Sequence, residues 1–407
     1  MRKENIKYAL LQMAFWTAAA SCYSFMTQIL EAKGFGSSQI GILNAVKLLA
    51  TVVFQMIIGS FADKYAKKIP LKMIIALLAG TAVAFTAVLY LETLSFLRTI
   101  LLFIGFGATF TCISPLIDSL SVLYNDRGVK INYAFGRAAG SAAYAVACVG
   151  FGVFCDVFGV SKLLLLQLFF TFMIFVTALF MGKMPQSPEK SIEKEKSSEQ
   201  KVHNAWYLLW NYPKFTCFLL GSAIMFMGYN MGTTFLIHII EGLGGTNTHY
   251  GAAVFVMAIS EVPAAVLIVR CRGKIPMDKI MIGCTFFMTL KNVFAAYSGN
   301  VDVIILSQSC EMLGFGMFYS GSVYLVDDML PKTDVVKGMS FVNAATLGLG
   351  EGIGSFLCGF LRESFGLQRL MEISVLTGVV SIACMIFMNL LPKERGRKIP
   401  VERGVNL

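Results

Sequence analysis

Apolar stretches of about 20 residues recur along nearly the whole of this 407-residue chain, and they restrict its fold more than any other feature. A helix needs about 20 apolar residues to cross a bilayer core, whereas the strands of a membrane barrel are about half as long and alternate in polarity. Hydrophobic residues make up 56% of the chain and charged residues only 14%, which lies outside the range of ordinary soluble domains. The sequence therefore predicts an all-α membrane protein. Charge clusters and turns rich in Gly, Pro or Asn divide the apolar stretches into about twelve spans, near residues 8–31, 38–61, 71–93, 98–124, 133–156, 161–182, 214–240, 248–269, 278–298, 301–326, 337–361 and 368–391.

One long polar segment, at residues 183–213, separates the first six spans from the last six. It contains the run SIEKEKSSEQK, which is too polar to be buried. The string KKIPLKMII at 67–75, after the second span, is echoed by GKIPMDKIMI at 273–282, after the eighth, although a chance match of so short a string is the alternative. We therefore predict two pseudo-symmetric six-helix bundles, residues 1–182 and 214–407, with a binding site at their interface.

Lysine and arginine are concentrated in alternate interhelical segments. The N-terminus, the central linker, the C-terminal tail and the turns after spans two and eight are all rich in basic residues. Because basic residues accumulate in cytoplasmic loops, this pattern predicts a multi-pass protein of the cytoplasmic (inner) membrane with both termini in the cytoplasm. The net charge of +10 comes from these loops, so it does not indicate a nucleic-acid partner.

Seven ionisable side chains lie inside the predicted spans, where a charge near the centre of a helix costs about 2.5–3.5 kcal/mol. Such residues are retained when they are paired, line a water-filled cavity or serve a function. The ten cysteines and three histidines have no spacing typical of a metal site, and no pattern indicates a nucleophile with its base. We therefore expect no metal, no other cofactor and no enzyme activity. The seven residues are Lys47, Asp118, Arg137, Glu261, Lys291, Glu311 and Glu351.

The turn between spans two and three has the sequence GSFADKYAKK. It resembles the signature loop of the major facilitator superfamily, in which a glycine precedes Asp-Arg/Lys, a second glycine and two basic residues; Ala66 replaces the second glycine here. The resemblance implies the major facilitator fold and a conformational latch, in which a glycine permits close helix approach and an aspartate accepts hydrogen bonds from a helix N-terminus. An ordinary basic turn is the alternative. The latch residues would be Gly59, Asp63, Lys64, Lys67 and Lys68.

Within that superfamily, the chain is similar over nearly all of its length to the lactose-permease-like branch of oligosaccharide and nucleoside proton symporters. The segment SPLIDSL on span four resembles the one that carries the branch's substrate-binding carboxylate, which assigns that role to Asp118. The segment FGRAAGSAAYA on span five resembles the branch's Phe-Gly-Arg helix start, which assigns the substrate-binding arginine to Arg137 and the sugar-stacking aromatic to Tyr144. An alignment shifted by two residues leaves Ala139 at the binding position instead.

In the second half, the segment SEVP on span eight resembles the one that carries the branch's coupling glutamate, here Glu261. Lys291 stands where the family has an arginine, and Glu311 stands at or next to its histidine. Two departures are large, because the family's span-seven aspartates fall on residues 229–232 (YNMG) and its proton-releasing carboxylate falls on Gly314. The resemblance thus implies proton coupling by an altered route and does not imply a galactoside substrate.

The chemistry of the first-half residues suits polar solutes. Asp118 offers acceptor oxygens and Arg137 a fork of donors, which match hydroxyl or amide groups better than apolar drugs. Tyr144 lies seven residues after Arg137, two helical turns, and so shares its face. Together, these three side chains can bind a sugar or nucleoside ring. The alternative is that Asp118 and Arg137 form a buried structural ion pair. Lys47 and Glu351 are second-rank candidates whose roles the sequence leaves open.

In the second half, Glu261, Lys291 and Glu311 provide two carboxylates for one ammonium. A carboxylate without a partner in a low-dielectric environment favours its neutral form, as a proton carrier requires. A static cluster that holds three helices together is the alternative.

These observations predict a secondary active transporter that moves a small polar solute together with protons across the bilayer, as a monomer, by rocking of two six-helix bundles. Carboxylates and backbone carbonyls also bind sodium, so the coupling ion is left open. The main alternative is an exporter of drugs or amphiphilic metabolites by proton antiport, which the same fold permits. A non-transporting membrane sensor is a more distant alternative.

Overall fold

The computed structural model describes residues 3–65, 68–92, 95–182, 205–331 and 333–393. Helices account for nearly all of the described residues, as the apolar stretches predict. In chain order the α-helices are α1 (Lys3–Ala19), α2 (Met26–Ala32), α3 (Ser37–Lys64), α4 (Leu71–Leu91), α5 (Phe96–Thr109), α6 (Ile113–Asp126), α7 (Tyr133–Phe158), α8 (Leu163–Phe180), α9 (Ala205–Asn211), α10 (Pro213–Thr234), α11 (Leu236–Gly242), α12 (Asn247–Cys271), α13 (Met277–Tyr297), α14 (Val301–Ser307), α15 (Met317–Met329), α16 (Val335–Asn343) and α17 (Glu351–Met388).

Ten segments of the described chain are long and apolar enough to cross a membrane. The N-terminal pair α1 and α2, separated by the π-helical segment Ala20–Ser24 and by Phe25, is not among them. The segment Val335–Met388 counts once, although Gly366 within it has a φ of 81°, a backbone conformation that glycine adopts without steric cost. The all-helical membrane fold is therefore confirmed, and the segments are consistent with the twelve predicted crossings.

In the second half of the chain, two further crossings that the sequence predicts as unbroken are distorted near their centres. Between α14 and α15 the chain passes through a 3₁₀ turn, Gln308–Glu311, and a π segment, Met312–Gly316, in which Gly314 has a ψ of −105°. A second π segment, Ala344–Gly350, precedes α17. Apolar length alone does not detect such distortions, which occur often at functional sites.

The chain crosses between two faces. We call the face with the start of α1, the end of α8 and the start of α10 the terminal face, and the opposite one, with the starts of α3 and α12, the far face. Residues 3–182 are called the first half and 205–393 the second half. The halves pack together along two seams, α3 against α17 and α7 against α12.

Both seams are tightest toward the far face. A Cβ atom at Gly41 of α3 would meet the carbonyl oxygen of Ser355 and the backbone of Gly359 on α17. A Cβ atom at Gly251 of α12 would meet the carbonyl oxygen of Cys148 on α7. Glycine at these positions lets the helix backbones touch, as at other close crossings of membrane helices.

Polar contacts between the halves reinforce this closure, and we call them the far gate. Asp156 of α7 accepts hydrogen bonds from the backbone nitrogens of Asn247 at 3.0 Å and Thr248 at 2.9 Å, and from the Thr248 hydroxyl at 2.6 Å. The carboxylate therefore caps the N-terminus of α12, where its charge is favourable. On the other seam, Glu31 contacts Arg362 and His238, each at 2.7 Å.

Candidate functional site

Arg137 and Trp16 form the centre of the first-half site. The guanidinium of Arg137 lies over the Trp16 ring, with its carbon 4.1 Å from the ring centroid, a favourable cation–π arrangement. Arg137 also donates to the Ser141 hydroxyl at 2.9 Å, one turn along α7. Gly140 makes this packing feasible, because a Cβ atom there would meet the Trp16 side chain.

Gln12 joins Trp16 to Asp118. Its oxygen accepts from the Trp16 indole at 3.1 Å, and its amide nitrogen donates to Oδ1 of Asp118 at 3.1 Å and to the Tyr8 hydroxyl at 2.9 Å. Asp118 and Arg137, both partly buried, do not form an ion pair with each other. The alternative of a structural ion pair therefore does not hold in this conformation, and both charged groups keep capacity for a ligand.

Tyr144 shares the face of Arg137, as the seven-residue spacing predicts. Trp16 contacts both residues, and the Trp16 and Tyr144 rings meet edge to face with centroids 6.0 Å apart. The Tyr144 hydroxyl lies 2.8 Å from the Ser24 hydroxyl in the π segment of the first crossing. We call Tyr8, Gln12, Trp16, Asp118, Arg137 and Tyr144 the first-half cluster.

The second half holds a fully buried triad of Tyr229, Lys291 and Glu311. Oε1 of Glu311 accepts from the Tyr229 hydroxyl at 2.6 Å and from Nζ of Lys291 at 2.7 Å. The Lys291 ammonium also lies 4.5 Å from the centroid of the Tyr229 ring. Glu311 has an exposure of 0% and Lys291 of 2%, so charge-assisted hydrogen bonds replace the water that these groups lack.

In the part of the chain that the structure describes, the second carboxylate oxygen of Glu311 has no hydrogen-bond partner. Oε2 is buried and accepts no hydrogen bond, although Oε1 of the same group accepts two. A buried acceptor left unsatisfied costs about 1–3 kcal/mol, and more when it is charged. The two oxygens of this carboxylate therefore lie in unequal environments.

Glu261 lies between the triad and the first half. Its carboxylate is partly buried on α12 and interacts electrostatically with Glu311, with Lys291 and, across the interface, with Arg137. In the described part of the chain, Glu261 forms neither an ion pair nor a side-chain hydrogen bond. The three residues predicted for proton coupling are thus brought together, with Tyr229 as an additional member.

The second-rank residues lie on the other seam. Lys47 of α3 is buried, with an exposure of 7%, and its ammonium is 6.0 Å from the centroid of the Tyr23 ring. Glu351 is the first residue of α17 and interacts electrostatically with Lys47.

The predicted latch is only partly described. Lys67 lies outside the described residues, as does the side chain of Asp63. Lys64 ends α3 with its ammonium 5.6 Å from the Tyr65 ring centroid, and Lys68 is exposed. A Cβ atom at Gly59 would meet no atom within 4 Å, so in this conformation Gly59 is not at the close helix approach that was expected.

The residues missed by sequence reasoning are Tyr8, Gln12, Trp16 and the hydroxyl donor Tyr229. A signal for the first three exists, because they recur every four residues in the apolar part of α1 and so share one face. Tyr229 lies where the resembling family has aspartates, and the sequence does not indicate that a phenol would instead donate to Glu311.

Comparison with known proteins shows which family and which solved structures this chain is similar to. The sequence profile of the family described as MFS_1 like matches residues 5–373. The solved structure of the nucleoside transporter NupG superposes with a TM-score of 0.81 at 13% identity, covering 96% of this chain and 100% of the other. A bacterial homolog to the human lysosomal transporter Spinster, inward-facing and unoccupied, gives 0.64 at 14% identity, covering 95% of each chain. At this identity, the likeness to solved structures shows a shared fold.

Proposed function

Because this chain belongs to the MFS_1-like family of membrane transporters, we propose that it is a proton-coupled symporter for a small polar solute that contains a ring, such as a sugar or a nucleoside. The substrate lies between the halves, held by Asp118, Arg137 and Tyr144. The proton is carried by Glu311 with Glu261 and Lys291. Family and fold indicate a transporter rather than an enzyme.

The first-half cluster supports a polar, ring-bearing substrate. Trp16 contacts the Arg137 guanidinium by its face, at 4.1 Å, so the edge of the guanidinium still offers donors to a ligand besides the one bonded to Ser141. Asp118 uses Oδ1 for Gln12, which leaves its second oxygen to accept from a substrate hydroxyl or amide. Aromatic faces combined with a few convergent polar groups are typical of small-molecule sites.

The observation that carries the coupling proposal is the unequal environment of the two Glu311 oxygens. Two donors bind Oε1, while Oε2 is buried without a hydrogen-bond partner among the described residues. Protonation at Oε2 neutralises the carboxylate and weakens its attraction for the Lys291 ammonium. Loss of the proton restores the pair, so proton binding is coupled to the packing of α10, α13 and the 3₁₀ turn.

We infer the orientation of this conformation in the membrane from the distribution of basic loop residues. With the terminal face in the cytoplasm of the inner membrane, the closed far gate gives the conformation that releases substrate inward. Opening of the far gate exposes the first-half cluster to the outside, and rocking of the halves alternates the two states. The two halves of a single chain suffice for this cycle, so we expect a functional monomer.

Uptake measurements test the proposal directly. Proteoliposomes with an imposed inward proton gradient are expected to accumulate at least one of a panel of labelled nucleosides and sugars, and a protonophore is expected to abolish the accumulation. Nucleosides come first in the panel because NupG is a nucleoside transporter. Accumulation that persists with the protonophore contradicts proton coupling, and a panel without any uptake contradicts the transport proposal.

Substrate binding tests the first-half cluster. We expect the transported solute to raise the melting temperature of the purified wild-type protein. The variants Asp118→Asn and Arg137→Gln each lose a charged hydrogen-bond partner worth about 1.5–3 kcal/mol, so affinity falls about 10- to 100-fold and the shift disappears at concentrations that suffice for the wild type.

A matched control lies beside Asp118 on the same helix. Ser119 is exposed, and its hydroxyl donates to the Pro115 carbonyl one turn earlier. The variant Ser119→Ala is expected to keep the full thermal shift. A shift that persists undiminished in both Asp118→Asn and Arg137→Gln places the substrate elsewhere.

A further inference from the structure

Lys47 and Glu351 are the two membrane-embedded charges that the proposed function does not use. Lys47 is buried on α3, and Glu351 follows the π segment Ala344–Gly350 directly. Within the residues that the structure describes, neither side chain forms a hydrogen bond or an ion pair. Two opposite charges therefore lie in the membrane without a direct partner.

The two residues lie at the same depth on opposite sides of one seam. Lys47 is six residues beyond Gly41, about 9 Å along α3, and Glu351 is four residues before Ser355, about 6 Å along α17. Gly41 and Ser355 are in the tight backbone contact that closes the far face. Lys47 and Glu351 thus lie on the terminal-face side of that contact, along the α3–α17 seam.

The electrostatic neighbours of the pair come from several helices. On the first-half side, Lys47 has the Tyr23 ring beside it, 6.0 Å from the ammonium. On the second-half side, Glu351 interacts with Tyr229 of the triad and with Tyr319 of α15, and Tyr319 in turn interacts with Arg137. Lys47 is the cation that acts on Glu351. Glu351 is therefore adjacent to the coupling triad but has its own counter-charge.

A static bridge explains this arrangement poorly. Burying an ion costs several kcal/mol, and a structural pair offsets that cost only through direct contact and good hydrogen-bond geometry. Here the charges of Lys47 and Glu351 act on each other without forming an ion pair, across the α3–α17 seam, which opens and closes in the proposed transport cycle. The distance from Glu351 to Lys47 therefore changes with conformation, and so does the free energy of ionising Glu351.

We infer that Glu351, opposed by Lys47 across the α3–α17 seam, is a second proton-binding site, so that two protons move with each substrate molecule. The inference rests on the proposed proton symport. The Glu351 carboxylate takes a proton from water when the far face is open and returns it to water at the terminal face. When Lys47 and Glu351 are apart, the bound proton neutralises the Glu351 carboxylate in place of the Lys47 charge.

The number of protons is measured from the membrane potential that balances a substrate gradient in proteoliposomes without a pH difference. For a neutral substrate, a tenfold gradient is balanced by about 30 mV when two charges move and by about 59 mV when one moves. We expect about 30 mV for the wild type and about 59 mV for Glu351→Gln. If the wild-type balance does not depend on potential at all, the proposed symport itself fails.

Two further variants complete the test. Glu372→Gln removes a carboxylate of the same helix whose Arg369 partner is exposed, and it is expected to keep the wild-type value. The double variant Lys47→Met with Glu351→Gln leaves no unpaired charge at the seam, so it is expected to fold and to give about 59 mV even if the single variant is unstable.

Three results overturn the inference. A value of about 59 mV for the wild type shows one proton and no second site. A wild-type value retained in Glu351→Gln shows that Glu351 carries no proton, whether or not the half-saturating substrate concentration rises. Folded single and double variants that catalyse neither uptake nor exchange show that the pair is needed for movement itself.

Discussion

Replacement of Glu311 by glutamine is expected to abolish accumulation of substrate against its gradient while substrate exchange continues. Glutamine keeps the shape of the side chain and can still accept from the Tyr229 hydroxyl, which lies 2.6 Å from Oε1 in the wild type. It cannot take up a proton and release it again during the cycle. Proton-driven uptake and substrate counterflow, measured on the same proteoliposomes, separate the two activities.

This substitution also leaves the Lys291 ammonium buried without its counter-ion, which lies at 2.7 Å in the wild type. Removing one partner of a buried pair costs about 3–5 kcal/mol, whereas removing both is often nearly neutral. We therefore expect Glu311→Gln to unfold at lower temperature than the double variant Lys291→Met with Glu311→Gln. The double variant is expected to fold and still to lack accumulation.

Tyr229→Phe is the matched control for the triad. It removes one hydrogen bond to Oε1 and keeps both the carboxylate and the ammonium. Accumulation is expected to persist, with stability lower by about 1.5–3 kcal/mol as for other hydrogen bonds to charged groups. Accumulation by a well-folded Glu311→Gln variant at the wild-type level would show that the triad is only structural.

Replacement of Gly251 by valine is expected to trap the protein with an open far face and to stop transport. A Cβ atom at this position would meet the Cys148 carbonyl oxygen across the α7–α12 seam. Backbone atoms cannot move aside as a flexible side chain can, so overpacking costs the closed form about 1–3 kcal/mol, which shifts the equilibrium about 5- to 100-fold toward the open form. Exchange and uptake both require closure, so both are expected to fall.

Cys148 reports on this seam, because its side chain has an exposure of 0% in the closed form. In a background where the other nine of the ten cysteines are serine, we expect a membrane-impermeant thiol reagent added at the far face to label Cys148 faster in Gly251→Val. Gly150 of α7 is the control, since a Cβ atom there would meet nothing within 4 Å. Equal labelling rates in Gly251→Val and Gly150→Val would contradict a requirement for glycine at this contact.

The sequence predicts the helical architecture well because the bilayer imposes it. A crossing must be about 20 apolar residues long, and the predicted bounds of the third span, 71–93, differ little from helix α4 at Leu71–Leu91. The distortions at 312–316 and 344–350 were not predicted. They depend on how glycines pack against other helices, and a Cβ atom at Gly314, for example, would meet Met288 of α13.

The sequence likewise predicts some residues of the candidate site but not the contacts between them. The apolar sequence context alone identifies Asp118, Arg137 and Glu311 as candidate functional residues, because an ionisable side chain within a membrane span is energetically costly. It does not show that Gln12, 106 positions from Asp118 in sequence, donates to that carboxylate. Nor does it show that Tyr229, 82 positions from Glu311, donates to the same oxygen as Lys291.

By itself, the sequence determined where the chain crosses the membrane and which charges it carries there, because the cost of polar groups in a bilayer depends mainly on local composition. Only the tertiary structure decided which of those charges meet. It joined Lys291 to Glu311, kept Asp118 and Arg137 apart, and set Lys47 opposite Glu351 across a seam. These pairings depend on the crossing of helices distant in sequence, since a side chain reaches only the neighbours that packing brings within a few ångströms of it.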